Sequence, residues 1–178
     1  MQKFCILKRA KGAAFLDSSE VTAHLQQLLR ANLSEQSIAI LKECAPKCHD
    51  VLSTFGIYKN LKEQMKISKD SVYNAVTSLN ENGFIELVPN LDESSTSKKL
   101  YFTNFALRNA LYLKKDFLAV FANVVFCELL KFKDEIYYTK EIDFFLNKRK
   151  IAIICVPFSA PEIIFLKFKK LHASLKEL

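Results

Sequence analysis

Residues 65–104 read MKISKDSVYNAVTSLNENGFIELVPNLDESSTSKKLYFTN, and the alternation of apolar and polar positions within them decides the fold of the middle of the chain. Ser68 is placed to cap a helix, because its hydroxyl can accept from the free N–H groups of the following turn. Val72, Ala75, Val76 and Leu79 then recur at helical spacing, with Lys69, Asp70, Tyr73, Asn74 and Thr77 on the polar side. Asn82-Gly83 supplies a left-handed stop, a conformation that carries no steric penalty for a residue without Cβ. Phe84, Ile85, Leu87 and Val88 form an apolar strand, ended by Pro89. Asn90 to Lys99 has Leu91 as its one large apolar residue, so an exposed loop is predicted there. Leu100, Tyr101 and Phe102 predict the return strand.

Upstream, Tyr58 to Gln64 predicts a helix with Leu61 inward, and Met65-Lys66-Ile67 a turn. Glu35 to Cys48 predicts an earlier helix, on which Ile38, Ile40, Leu41 and Cys44 make an apolar stripe. Helices followed directly by a hairpin, over residues 35–104, resemble winged helix-turn-helix domains. The resemblance implies a recognition helix from Ser68 to Asn80 and a wing carrying Lys98 and Lys99. Modules of this shape bind DNA in some proteins and only protein in others, and the fold does not choose between them.

The chain has 178 residues and a mass of 20.4 kDa, and half of its residues are hydrophobic, enough for one large or two small domains with a real core. Its formal charge of +7 and pI of about 9.1 favour an acidic partner, of which nucleic acid is the commonest. Basic residues come in short groups: Lys8-Arg9 with Lys11, Lys98-Lys99, Lys114-Lys115, Lys148-Arg149-Lys150 and Lys167-Lys169-Lys170. No run approaches the roughly 18 apolar residues that would span a bilayer. The apolar opening is interrupted by Lys8 and Arg9 too early for a signal peptide, so a cytoplasmic protein is expected, with no membrane partner.

Five cysteines, an odd number, favour reduced thiols, with Cys127 and Cys155 in apolar segments as core residues. Cys44-x3-Cys48-His49 lacks a second ligand pair at finger-like spacing, so no metal or other cofactor is expected. His24 and His172 have no companions that suggest catalysis, and no nucleophile elbow occurs.

Residues 1–16 give no clear element. Capping residues Asp17 to Glu20 precede a helix with Val21, Leu25, Leu28 and Leu29 inward, ending near Asn32. After the hairpin, a helix is predicted from Asn104 to Tyr112. Phe117 to Lys131 predicts a helix so apolar that it must be buried nearly all round, with Glu128 its one acid. Strands are predicted at Asp134 to Tyr138, Glu141 to Leu146 and Ile151 to Phe158, with Asn147 to Lys150 as a hairpin turn and Pro161 to Lys176 as a final helix. The fold class is therefore α+β: a helical segment over 1–34, a winged-helix unit over 35–104, and a small α/β unit over 105–178.

The order of elements in that last unit is similar to the core of PD-(D/E)xK nucleases. More specifically, Leu100 to Pro157 resembles the C-terminal domain of a large family of prokaryotic AAA-type ATPases. The matching segments are Lys99 to Asn104 with Leu107 to Leu111, Asn123 to Leu130, and Glu141 to Phe145. The resemblance implies a nuclease-like fold beside a winged helix and a P-loop module elsewhere. It also implies that Asp143 and Glu128 stand at acidic positions of the nuclease site, whereas Cys155 and Pro157 stand where a Glu and a Lys are expected. A thiol is a poor ligand for a hard cation and proline has no amine, so loss of cleavage is expected. Gly12, Gly56 and Gly83 are too few and too scattered for a P-loop.

The expected function is a non-catalytic DNA-associated module, the C-terminal part or remnant of an AAA-type ATPase. Lys69, Lys98 and Lys99 would contact phosphates, and Tyr73, Asn74 or Thr77 base edges. One alternative is a protein-protein assembly or regulatory domain of an ATPase complex, with an ATPase module or subunit as partner. The other is an active metal-dependent nuclease, for which Glu141 or Glu162 would have to supply the missing acid.

Overall fold

In a computed structural model of the protein, residues 18–114 and 116–174 are described. Residues 1–17, Asp17 of the expected capping stretch among them, Lys115 and the end of the predicted final helix lie outside the described residues. The molecule is of mixed α+β class, with the order α1 Ser18–Asn32, α2 Glu35–Cys44, α3 Thr54–Leu61, α4 Lys69–Glu81, β1 Ile85–Pro89 and β2 Lys98–Phe102. It continues with α5 Phe105–Leu111, α6 Phe117–Leu129, β3 Ile136–Tyr137, β4 Phe144–Leu146, β5 Ile151–Ile153 and α7 Pro161–Ser174.

Local chemistry accounts for most boundaries. Ser34, Ser53, Ser68 and Asn104 each accept a backbone N–H of the first turn of α2, α3, α4 and α5; such a cap is worth about 1 kcal/mol. Helix α2 ends four residues earlier than Cys48, because Pro46 turns the chain into a short 3-10 segment, Ala45–Lys47. Helix α3 starts at Thr54, before the predicted Tyr58, because Ser53 caps it. Gly83 makes the left-handed turn after α4 at φ 72°.

The β1–β2 hairpin is the central layer of the molecule. It is antiparallel, with Leu87 opposite Leu100. Successive side chains of a strand face opposite sides, and here both sides are covered. Leu100 and Phe102 enter a core with Ile40, Leu41, Ile57, Leu61, Val72, Val76 and Leu79 of α2 to α4. Tyr101 enters a second core with Ala122, Phe126 and Leu129 of α6, Phe144 and Leu146 of β4, and Tyr138. The chain between α2 and α3 runs along the free edge of β2: His49 N donates to Leu100 O at 2.8 Å, Leu100 N to Asp50 O at 3.0 Å, and Leu52 N to Lys98 O at 2.9 Å.

Two expectations for the second half are corrected. Helix α6 is not buried all round: one side packs on β2, and Phe117, Leu118 and Phe121 are exposed. The third predicted strand is an edge strand and stops well short of Phe158. The sheet order is β3-β4-β5, and regular pairing stops at Ile153, because Cys155 N turns to a carboxylate of Asp143 and Pro157 offers no donor. On helix α7 every side chain described from Pro161 to Lys170 is exposed, the apolar ones included. No described helix is long and apolar enough to cross a membrane.

Candidate nucleic-acid interface

The candidate surface is built on α3 and α4. Helix α4 sends Val72, Val76 and Leu79 into the core, which leaves Lys69, Asp70, Tyr73, Asn74 and Thr77 together on its exposed side. Tyr73 is 43% exposed and Phe55 of α3 is 45% exposed, high for rings in a molecule with two cores to fill. Lysines lie over both: Lys69 Nζ is 5.7 Å from the Phe55 ring and 5.6 Å from that of Tyr73, Lys59 Nζ is 5.1 Å from Phe55, and Lys62 Nζ is 5.9 Å from the Tyr58 ring. Lys59, Lys62, Lys66 and Lys69 are all exposed, against Glu63 and Asp70 as the acids of that stretch. The face thus offers compact cations beside aromatic surfaces, a pairing suited to phosphate and base contact.

Phe55, Tyr58, Lys59 and Lys62 are site residues outside those expected from sequence, because α3 starts at Thr54 and brings Phe55 onto the same face as Lys59. The capping pair Ser53-Thr54 was the available signal. The wing lysines separate. Lys98 is exposed at the start of β2, while the neighbouring loop tip exposes Asp92 and Glu93. Hydrogen bonds from the Ser94 side chain and backbone hold the Asp92 carboxyl below its usual range, so the tip stays anionic. One side of this loop is tied down: Tyr138 N donates to Pro89 O at 3.0 Å, Leu91 N to Tyr138 O at 2.8 Å, and the Tyr138 and Ser97 hydroxyls lie 2.6 Å apart.

Lys99 is a correction to the expected phosphate contact. Its side chain is only 16% exposed, with Nζ 3.8 Å from Asp143 Oδ1 and 4.9 Å from the Tyr138 ring centroid. Burial lowers its pKa, against the opposing pull of Asp143. Asp143 is the hub of a polar cluster between the two cores. Its Oδ2 accepts from Cys155 N at 2.7 Å, and its Oδ1 lies 3.6 Å from His49 Nε2, whose Nδ1 is 2.9 Å from the Tyr101 hydroxyl. Burial pushes the Tyr101 phenol far up, so it keeps its proton; a proton on Nε2, the nitrogen facing the Asp143 carboxylate, leaves Nδ1 to accept from that hydroxyl.

Glu128 does not join this cluster, which corrects its expected inward position. It is exposed and pairs with Lys131, one turn on. The Cys155 thiol is pushed up to about 12 by burial and by Asp143, so it stays protonated. Cys44 and Cys48, also pushed up to about 12 by burial, are core thiols, and Cys48 Sγ donates to Asn123 Oδ1 at 3.0 Å. Among the described residues, Glu141 and Glu162 included, no group of three or more His, Cys, Asp and Glu side chains has the geometry to hold a metal ion.

The His49 pKa is lowered, first by burial and next by Lys99, against the pull of Asp143. A depressed folded-state value means that its contribution is present above the unfolded value near 6.5 and is lost as pH falls toward the folded one. Thermal melts from about pH 7 to pH 5 should therefore fall more steeply for the wild type than for His49→Asn, a residue that tolerates the φ of 76° at this site. An unchanged slope in the variant would remove His49 from the acid sensitivity.

No family model, no curated protein and no solved structure matches the chain.

Proposed function

We propose that residues 35–104 are a winged helix-turn-helix module that binds duplex DNA through the exposed face of α3 and α4, and that residues 105–178 are a non-catalytic, nuclease-like companion to it. The observation that carries this reading is the set of Lys59 and Lys69 over the exposed rings of Phe55 and Tyr73, with Lys62 over the half-buried ring of Tyr58. Phosphate contacts by the lysines position the duplex, and the face has no Arg for bidentate reading of guanine, so binding depends little on sequence. Lys98 adds one exposed cation from the hairpin, whereas Lys99 is committed to Asp143.

The nuclease-like part of the proposal rests on the order from α6 to α7. Absence of cleavage rests on the protonated Cys155, on Pro157 without an amine, and on Glu128 turned to Lys131. A second reading, an assembly or regulatory domain, is favoured by α7, where Ile163, Ile164, Phe165, Leu166 and Phe168 are 44–59% exposed. Its link to an ATPase module comes from the sequence resemblance alone.

Fluorescence anisotropy of a labelled duplex over a salt series tests DNA binding. Lys59→Glu/Lys69→Glu should weaken binding by at least about tenfold at low salt and reduce the salt slope by about 2, one unit per lost phosphate contact.

A further inference from the structure

Arg108 lies in the middle of α5 with 2% of its surface exposed. A guanidinium cannot shed its proton in a protein, so burial without a carboxylate leaves a charge poorly compensated. Nη1 makes two long contacts, 3.3 Å to Asn109 Oδ1 and 3.4 Å to Lys114 O, and the group stacks on the Tyr112 ring at 5.2 Å. Nε is buried with no hydrogen-bond partner, and among the described residues no carboxylate lies at ion-pair distance. Arg108 forms part of the wall of a cavity of about 720 Å³ between α1, α5 and α6.

The rest of the wall suits an amphiphilic guest. Tyr112, Phe117 and Val120 provide apolar surface, while Lys114 adds a second cation. Asp116 opposes them, but its Oδ1 is engaged at 3.1 Å by Ala119 N as the cap of α6. Among the described residues the wall thus carries one net positive charge, from Arg108 and Lys114 against Asp116, and Arg108 has an unused donor.

We propose that this cavity binds a small monoanionic amphiphile, a carboxylate or phosphate monoester on an apolar or aromatic body, with its anionic head on Arg108. A charge-assisted bond to the guanidinium is the strong, directional contact, and the rings and Val120 take the body. The site does not rest on the reading of α3 and α4.

Benzoate, phenyl phosphate and uncharged benzyl alcohol, titrated separately into the ¹⁵N-labelled full chain, test it. Benzoate or phenyl phosphate should shift the amides of Gln26, Asn109 and Val120, and whichever binds more tightly identifies the head group. Benzyl alcohol should bind at least about tenfold more weakly, the least that one charge-assisted bond supplies. Arg108→Gln should remove the preference for the anion. Should that variant fail to fold, Ala23→Trp fills the cavity from an exposed rim position and should abolish binding with the melting temperature unchanged. Equal binding of benzyl alcohol, full binding by Ala23→Trp, or no shift with either anion would overturn the proposal.

Discussion

Asn123→Ala is expected to be the most damaging single substitution in the core, costing about 3–4 kcal/mol, because it strands two buried backbone groups at once. Asn123 is fully buried in α6. Its Oδ1 accepts from Phe102 N at 2.7 Å and its Nδ2 donates to Phe102 O at 3.0 Å. The edge of β2 is paired at Leu100 by His49 and Asp50, and the chain then leaves for α3. Phe102 is the next residue of that edge in need of partners, and the Asn123 amide supplies them as a further strand residue would. Alanine removes donor and acceptor together, and the surrounding Phe102, Phe126 and Cys48 leave little room for water. In a protein of this size the melting temperature should fall by roughly 10 °C, and the urea midpoint should drop with the slope unchanged. A loss below about 1 kcal/mol would mean that β2 and α6 are held by packing alone.

Asp143→Ala should follow it, at about 2–3 kcal/mol, below the range for a fully buried pair because the site retains some solvent. The substitution leaves Cys155 N without its acceptor, takes from Lys99 its ion-pair partner so that only the weaker pull of Asp50 remains, and frees His49. Asp143→Asn keeps an oxygen for Cys155 N and should cost less. Combining Asp143→Asn with Lys99→Met, which removes the stranded cation as well, should recover part of the loss, with a coupling energy of about 1–2 kcal/mol. Additive single effects would contradict the Lys99–Asp143 pairing. Both substitutions act where the hairpin meets the C-terminal elements, so calorimetry should still show one transition.

The helix-and-hairpin half was legible because each element has a local cause. Ser68 caps α4, Val72, Val76 and Leu79 repeat at helical spacing, and Gly83 takes the left-handed turn. The placing of Lys99 is legible in strand alternation: neighbours on a strand face opposite ways, so Lys98 and Lys99 cannot share a surface, and Lys99 follows Tyr101 toward α6. Asn123 was the one amide among FLAVFANVVFCELL, a polar residue that such a run would bury only with its partners in place. What sequence could not supply was long-range. Nothing local brings His49, Lys99 and Asp143 together, since their meeting depends on how β4 docks beside β2. The apolar character of α6 was right in composition and wrong in consequence, because Phe117, Leu118 and Phe121 remain outside.

The central claim concerns which lysines meet DNA, and a contrast of two variants tests it most directly. Lys59→Glu/Lys69→Glu and Lys98→Glu, each compared with the wild type in the duplex anisotropy salt series, change charge on two different surfaces without touching either core. The account predicts that the first loses at least about tenfold in affinity with its salt slope reduced by about 2, while the second loses at most about threefold. Equal losses in both, or wild-type binding by the first, would contradict it and place the contact elsewhere on the molecule.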